Sequence, residues 1–437
     1  MIAIKTMAFY LKTFPRAICR AALSFSQQRS STTVNRVVCG LTASPPDPIL
    51  EATANVELAK KTSNPVIGTV GLITTPEGKI HVPTSVRQAI QMVHDDESRT
   101  GYVAGYGPIA GDPTILNKVR EHFLPEMGPM AGAFTLGGTG ALMLAKQYLK
   151  RMDPYQRLIM PAITWTNHEN IFRGITMKNL RGFEYDHRNP DLEILEKIFR
   201  QNRDVCSLLF HGQCHNPTGF DADISNDLID LTNKYGVTFV CDLAYPGLNN
   251  GLCTDMQILT TKLKKMNNAL IAISFSKVMG LYGDRAGAFF VHGAGKHQNL
   301  VQSNINSIIR SSYSNYPVFV PRVINKLFSN SELTKAFYGE VHSMATMMNS
   351  KRKLLKTSFE MHNVPFEVNE TGGLFTCFDL TSEEITKLAS KGVATVDFGK
   401  KGGARLNVCA VTPNNADHIA SAISNVLVDR DDRIVVS

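Results

Sequence analysis

No stretch of this chain approaches ~18 uninterrupted apolar residues, so no membrane-spanning helix is expected. Tryptophan occurs once, as Trp165. The eight cysteines are scattered, with no CxxC pair and no histidine at zinc-binding spacing. A metal site is therefore not expected, whereas reduced and mostly buried thiols are. Residues 1–46 contain no Asp or Glu but carry Lys5, Lys12, Arg16, Arg20, Arg29 and Arg36. The formal net charge is +8, and setting those six aside leaves a body of about +2, which gives no reason to expect nucleic-acid binding. An acid-free leader containing Arg and Ser reads as a mitochondrial transit peptide over residues 1–40, and it points to the matrix. Internal repeats are missing too.

What is present is a globular composition, 43% hydrophobic and 19% charged, over 437 residues. That length exceeds one ordinary hydrophobic core. From about Ser85 the chain enters a helical stretch and then alternates short apolar runs ("AFTLGG", "RLIMPA", "VCSLLFHG", "VTFVCDLA", "ALIAIS") with amphipathic helical patterns ("ALMLAKQYLKRM", "LEILEKIFRQ", "LIDLTNKYG"). Continuous apolar strands between helices predict an α/β fold with a mainly parallel sheet covered on both faces. We assign residues 85–344 to this large domain. Residues 43–84 and 345–437 form a smaller α+β domain in this reading, and the run from Ser331 to His362 is one long or broken helix.

In such sheets ligands sit where strands end at their carboxyl edge. "TLGGTGALML" is a strand, a glycine-rich turn and a helix start, where Gly137, Gly138 and Thr139 can meet a phosphate, although a purely structural turn reads the same way. "LIMPAITWTNHENIF" supplies Trp165 and His168, which taken singly are packing residues. "HNPTGF" places Asn216 before Pro217 in a constrained turn. "VTFVCDLAYPGL" brings Asp242 out of an apolar strand, with Tyr245 three residues later; such an acid is costly to bury unless a cation meets it. "ALIAISFSKVMGLYGDRAG" carries Lys277 into the same crevice behind Ser274, with Arg285 following. Burial and cationic neighbours would depress the Lys277 amine toward a usable nucleophile. One lysine, one buried acid, one tyrosine, one flat aromatic and one phosphate cup together suit pyridoxal phosphate, and no nicotinamide or ATP reading uses all five.

From "PPDPILEA" to "DHIASAISNVL" the chain resembles the class I aminotransferases of PLP fold type I, and within them the aspartate aminotransferases. "TLGGTGALMLAKQYL", "TWTNHENIF", "HNPTGF", "DLAYPGL", "SFSKVMGLYGDRAG", "RSSYSN" and "ARLNV" occur in the family's order at close to its spacing. The resemblance implies a seven-stranded, mainly parallel sheet. It makes Lys277 the lysine that bonds the cofactor and moves the substrate proton, and Asp242, braced by His168, the partner of the ring nitrogen. Tyr245 and Asn216 would hold the phenolic oxygen, and Trp165 would stack on the ring. Gly138, Thr139, Ser274 and Arg285 would hold the phosphate, with Ser276 standing behind them. By the same resemblance Arg405 binds the substrate α-carboxylate and the Gly71 backbone meets the substrate. Tyr106 and Arg310 would reach into the neighbouring subunit of a homodimer, Arg310 taking the distal carboxylate of aspartate or glutamate.

The chain departs from the family's pattern at three places. Gly137 stands where serine is usual, "GLITT" replaces a tyrosine-and-arginine run after Gly71, and "KVMG" replaces an asparagine-containing form beside Lys277. The implied activity is transamination between L-aspartate and 2-oxoglutarate. The rivals are a broad aromatic/dicarboxylate aminotransferase of the same fold and a non-catalytic scaffold that retains it.

Overall fold

Alternate side chains along the central strands belong to different cores. Leu208, Phe239, Cys241 and Ile271 join one apolar cluster, while Leu209, Val240, Leu270 and Ala272 join another. A strand repeats every two residues, so a sheet with two such strand faces needs a layer on each side. The computed structural model describes residues 52–75, 78–100, 105–175, 184–399 and 403–436. The basic leader lies outside them. Residues Asp47–Ser437 form one compact body.

Twelve strands are present among the described residues: β1 (Val66–Ile67), β2 (Ala131–Leu136), β3 (Arg157–Pro161), β4 (Glu184–Tyr185), β5 (Cys206–His211), β6 (Thr238–Leu243), β7 (Ala269–Ser274), β8 (Ala286–His292), β9 (Phe375–Phe378), β10 (Val393–Ala394), β11 (Val396–Asp397) and β12 (Ala404–Asn407). Seven of them form the large sheet in the order β2-β8-β7-β6-β5-β3-β4. Only β8 runs against its neighbours, and the pairs among β7, β6, β5, β3 and β4 are all parallel. The expected mainly parallel α/β sheet is what forms.

Register sets the site. His211 pairs with Asp242, and Asp242 with Ala272, so the carboxyl ends of β5, β6 and β7 lie level. Because β8 is antiparallel, its first residues lie at that same edge: Ala286 pairs with Leu136 and Gly287 with Ser274. Arg285 is thereby delivered beside the start of the helix Gly137–Met152.

A separate antiparallel sheet, β11-β12-β9, carries Arg405 on β12. It packs in a third cluster with the helices Ser382–Ser390 and Ala416–Val436. The run after Asn330 is a single helix, Ser331–Met361, capped by the Asn330 side chain, which accepts from the Glu332 and Leu333 amides. It passes residue 345 without a break. Its first half packs into the large sheet's core through Phe337, Val341 and Met348, and Leu355 and Phe359 enter the third cluster. No described helix is long and apolar enough to cross a membrane.

Candidate active site

The level strand ends open into a cavity of about 280 Å³, lined by Gly71, Gly138, Thr139, Trp165, Asn216, Asp242, Tyr245, Ser274, Lys277, Arg285 and Arg405. Of the residues singled out from the sequence, Gly137 and His168 adjoin lining residues without being part of the lining, and outside it altogether are Tyr106 and Arg310. Those two face outward from the single chain: Tyr106 is 91% exposed, and Arg310, at the end of helix Gln298–Ser312, is also exposed, donating to the Ser314 hydroxyl.

Asp242 sits at the floor, buried, between two imidazoles. His168 Nε2 is 2.9 Å from Asp242 Oδ2, and His168 Nδ1 is 2.7 Å from the Thr164 hydroxyl. His211 Nε2 lies 3.6 Å from the same carboxylate oxygen. Burial works against ionising Asp242, but the hydrogen bond from His168, then the two neighbouring imidazoles and last the charge of Lys277 outweigh it, leaving the carboxyl below its usual range. His211, buried, is pushed down to about 3, mainly by desolvation, and is therefore neutral.

Lys277 follows β7 into the same cavity, its Nζ 5.3 Å from the centre of the Tyr245 ring. Desolvation pushes its amine down to about 8, helped by Arg285 and Arg405 and opposed by Asp242. Burial raises the Tyr245 phenol, and its oxygen accepts from Asn216 Nδ2 at 3.4 Å. The Asn216–Pro217 bond is cis. Asn216 Oδ1 accepts from Arg405 Nη1 at 3.1 Å, while Arg405 Nη2 donates to the Thr69 carbonyl at 3.1 Å. The buried Arg405 guanidinium lies over the Phe375 ring at 4.0 Å and near Phe398 at 5.0 Å.

The cup at the cavity's other end differs from expectation in one respect. No turn separates β2 from its helix, since the strand ends at Leu136 and the helix begins at Gly137. The Gly137 N–H is taken by the Arg285 carbonyl at 2.8 Å. It is therefore not offered to a ligand as the sequence reading had it. Gly138 packs against Ser274, where a Cβ would lie 3.0 Å from the serine Cβ, and Ser274 Oγ accepts from the Ser276 amide at 3.3 Å. Ser276 lines the cavity as well.

Three further residues shape the site and were not picked from the sequence. Asn407 Nδ2 donates to the carbonyls of Val70 and Leu72, on either side of Gly71. The Tyr282 hydroxyl accepts from the Ile73 amide at 3.0 Å. These two anchors hold the Gly71 strip against the cavity, whose lining also includes His211. Asn407 stands two residues after Arg405 in "ARLNV", where its target, several hundred residues earlier, leaves no local mark.

The donor set fits pyridoxal phosphate. An amine with depressed pKa can bond an aldehyde, and an ionised buried carboxylate can face a ring nitrogen. A phenol with an amide can face the ring hydroxyl, and Gly138, Thr139, Ser274 and Arg285 can face a phosphate.

Comparison with known proteins agrees. The family pattern "Aminotransferase class I and II" matches residues 69–423. The aspartate aminotransferase of Salmonella typhi is 28% identical over 402 residues, covering 89% of this chain and 99% of its own length. The mitochondrial aspartate aminotransferase of Schizosaccharomyces pombe is 28% identical over 403 residues, covering 87% and 89%. An aromatic amino acid aminotransferase from Burkholderia cenocepacia superposes with a TM-score of 0.78 at 25% identity, over 90% of this chain and 99% of that one.

Proposed function

Because this chain belongs to the class I and II aminotransferases, we propose that it moves an amino group between L-aspartate and 2-oxoglutarate, giving oxaloacetate and L-glutamate, with pyridoxal phosphate as its cofactor. The observation that carries the reading is the meeting of Lys277 and Asp242, from neighbouring strand ends, in one cavity with Arg405.

Bound there, pyridoxal phosphate supplies an aldehyde for an amine and a ring that takes up the electron pair left when the substrate loses its α-proton. Lys277 Nζ, with its pKa near 8, is in part unprotonated at neutral pH and bonds the cofactor between turnovers. When not bonded to the cofactor, the same Nζ would take the proton from the substrate Cα and later return one as acid. Asp242 stays anionic against His168 and so keeps a proton on the ring nitrogen. Asn216 orients the Tyr245 hydroxyl toward the ring oxygen. Arg405 binds the α-carboxylate with its planar fork, and Phe375 fixes that plane. In this reading residues 43–84 and 345–437 close over residues 85–344 when Arg405 is engaged.

Specificity for dicarboxylates rests on Arg310. Its exposure in the single chain, with that of Tyr106, supports a homodimer in which each subunit lends both residues to the other's cavity. The basic leader supports delivery to the mitochondrial matrix. A second reading, a broad aromatic/dicarboxylate aminotransferase, is favoured by the fold-level match to the Burkholderia enzyme.

The test is the amino-donor profile with 2-oxoglutarate as acceptor. Aspartate should turn over much faster than tyrosine or phenylalanine, and Arg310→Ala should cut kcat/KM for aspartate by more than about tenfold while sparing aromatic donors. Equal use of both donor types selects the second reading. Lys277→Ala should abolish transamination and the absorbance band that arises from the lysine's bond to the cofactor; a colourless parent protein that takes up no pyridoxal phosphate would leave only a scaffold.

A further inference from the structure

Gly137 directly precedes Gly138 and Thr139 of the phosphate cup, and its surroundings are unusually tight. Its φ is +69°. A Cβ built there would lie 2.5 Å from Arg285 Nη2 and 3.0 Å from Arg285 Cζ. The guanidinium therefore rests directly on the backbone of the helix's first residue. On another side Gly287 is packed so closely that its own Cβ would stand 2.6 Å from the Gly137 carbonyl carbon. The Gly137 amide is held by the Arg285 carbonyl at 2.8 Å, and its carbonyl accepts from the Thr135 hydroxyl at 3.1 Å. The backbone at 137 is thus pinned at both its polar groups and backed by Gly287. Any side chain added there is accommodated by moving the arginine.

Arg285 is itself exposed and donates Nη1 to the Tyr282 carbonyl at 3.0 Å. An exposed arginine has many rotamers, and holding one of them lowers the ordering cost when an anion arrives. The support for that rotamer comes from the Tyr282 carbonyl on one end and the bare Gly137 backbone on the other.

We propose that Gly137 is a positioning residue for the cofactor phosphate: by carrying no side chain it seats the Arg285 guanidinium, so that the cup grips phosphate through the arginine's fork and not through a hydroxyl at 137. The inference rests on the pyridoxal phosphate reading above and deepens it. It has a counterintuitive consequence. Gly137→Ser, which restores a hydroxyl donor, weakens the grip on phosphate, because the guanidinium must retreat by roughly an ångström to regain ordinary contact and the serine must adopt a left-handed backbone.

The experiment compares dissociation constants of cofactor-free protein for pyridoxal phosphate and for pyridoxal, which lacks the phosphate, read by quenching of Trp165 fluorescence. The ratio of the pyridoxal constant to the pyridoxal phosphate constant reports the cup alone. Gly137→Ser and Gly137→Ala should each reduce that ratio by about tenfold, leaving the pyridoxal constant near the parent's. Arg285→Ala should reduce it strongly in the parent and little in the Gly137→Ser background. An unchanged or increased ratio in Gly137→Ser, or an Arg285→Ala loss of equal size in both backgrounds, overturns the proposal. Should the position-137 variants fail to fold, Arg285→Ala in the parent still decides, because a ratio unmoved by removing the guanidinium sinks the idea. A parent that binds pyridoxal phosphate but gives any of these contrary results defeats this inference alone; a parent that binds none defeats the transaminase reading as well.

Discussion

At the scale of single residues, the amine of Lys277 is governed by burial first and by three charges second. Attack on a carbonyl needs the unprotonated amine, so the rate at which cofactor-free protein captures pyridoxal should rise with pH through a midpoint near 8 and level off above it. Arg285→Ala and Arg405→Ala remove cations and should move the midpoint up, while Asp242→Asn removes an anion and should move it down; stopped-flow absorbance reads all three. The same shift has a stability signature. The folded pKa lies below the ordinary 10.5, so between about 8 and 10.5 the unfolded chain holds more protons and the stability of cofactor-free protein should increase with pH across that window. Thermal melts of the parent should show this rise and Lys277→Met should lack it. Lys277 and Asp242 were legible in the sequence because a charged residue closing an apolar strand is conspicuous. His211 was not, for it sits inside the equally apolar "SLLFHG", where a buried packing histidine reads alike. Tyr282 and Asn407 escaped because their role is a contact with a distant strip of chain, which no local pattern records.

At the scale of elements, the helix Ser331–Met361 carries a fully buried arginine. Arg352 donates Nη2 to the Gly372 carbonyl at 3.0 Å, Nε to Gly373 at 3.2 Å and Nη1 to Asn369 at 3.3 Å, and it reaches the Phe375 carbonyl as well. It thereby ties to the helix the loop that brings Phe375 beneath Arg405. Arg352→Leu would leave those buried carbonyls without donors and should lower the unfolding free energy by at least about 3 kcal/mol, measured by urea titration. Arg352→Lys should recover only part of this, since an ammonium lacks the planar fork. Helices and strands with clear periodicity were readable, including "ALIAIS" residue for residue as β7. The junction at Leu136–Gly137 was misread because glycines ordinarily announce a turn. Here Gly137 takes the left-handed conformation as the helix's own first residue, and its amide is claimed by a residue far along the chain.

At the scale of the whole molecule, the two exposed residues left outside the cavity, Tyr106 and Arg310, define the most telling experiment. If Arg310 serves the neighbouring subunit, mixing Lys277→Ala with Arg310→Ala chains should regenerate activity, because one of the two sites in each mixed dimer then has both residues intact. If each chain uses its own Arg310, mixing restores nothing. Assays of refolded mixtures against aspartate distinguish these outcomes, with sedimentation to verify that dimers form. The role expected of Tyr106 and Arg310 comes from the family resemblance and not from the residues themselves, since a surface tyrosine and arginine look alike in sequence whether they meet water or another protein.

Asn216 and the Thr69 carbonyl already occupy two of the donors on Arg405. On the proposed reading, a carboxylate arriving at Arg405 meets a fork whose orientation the protein has already fixed, so little of its binding free energy goes into ordering that side chain. Asn216 also touches Tyr245, so a single amide ties the arginine to the phenol. Because that clamp is built before anything occupies it, neither arrival nor departure would require the arginine to be rebuilt.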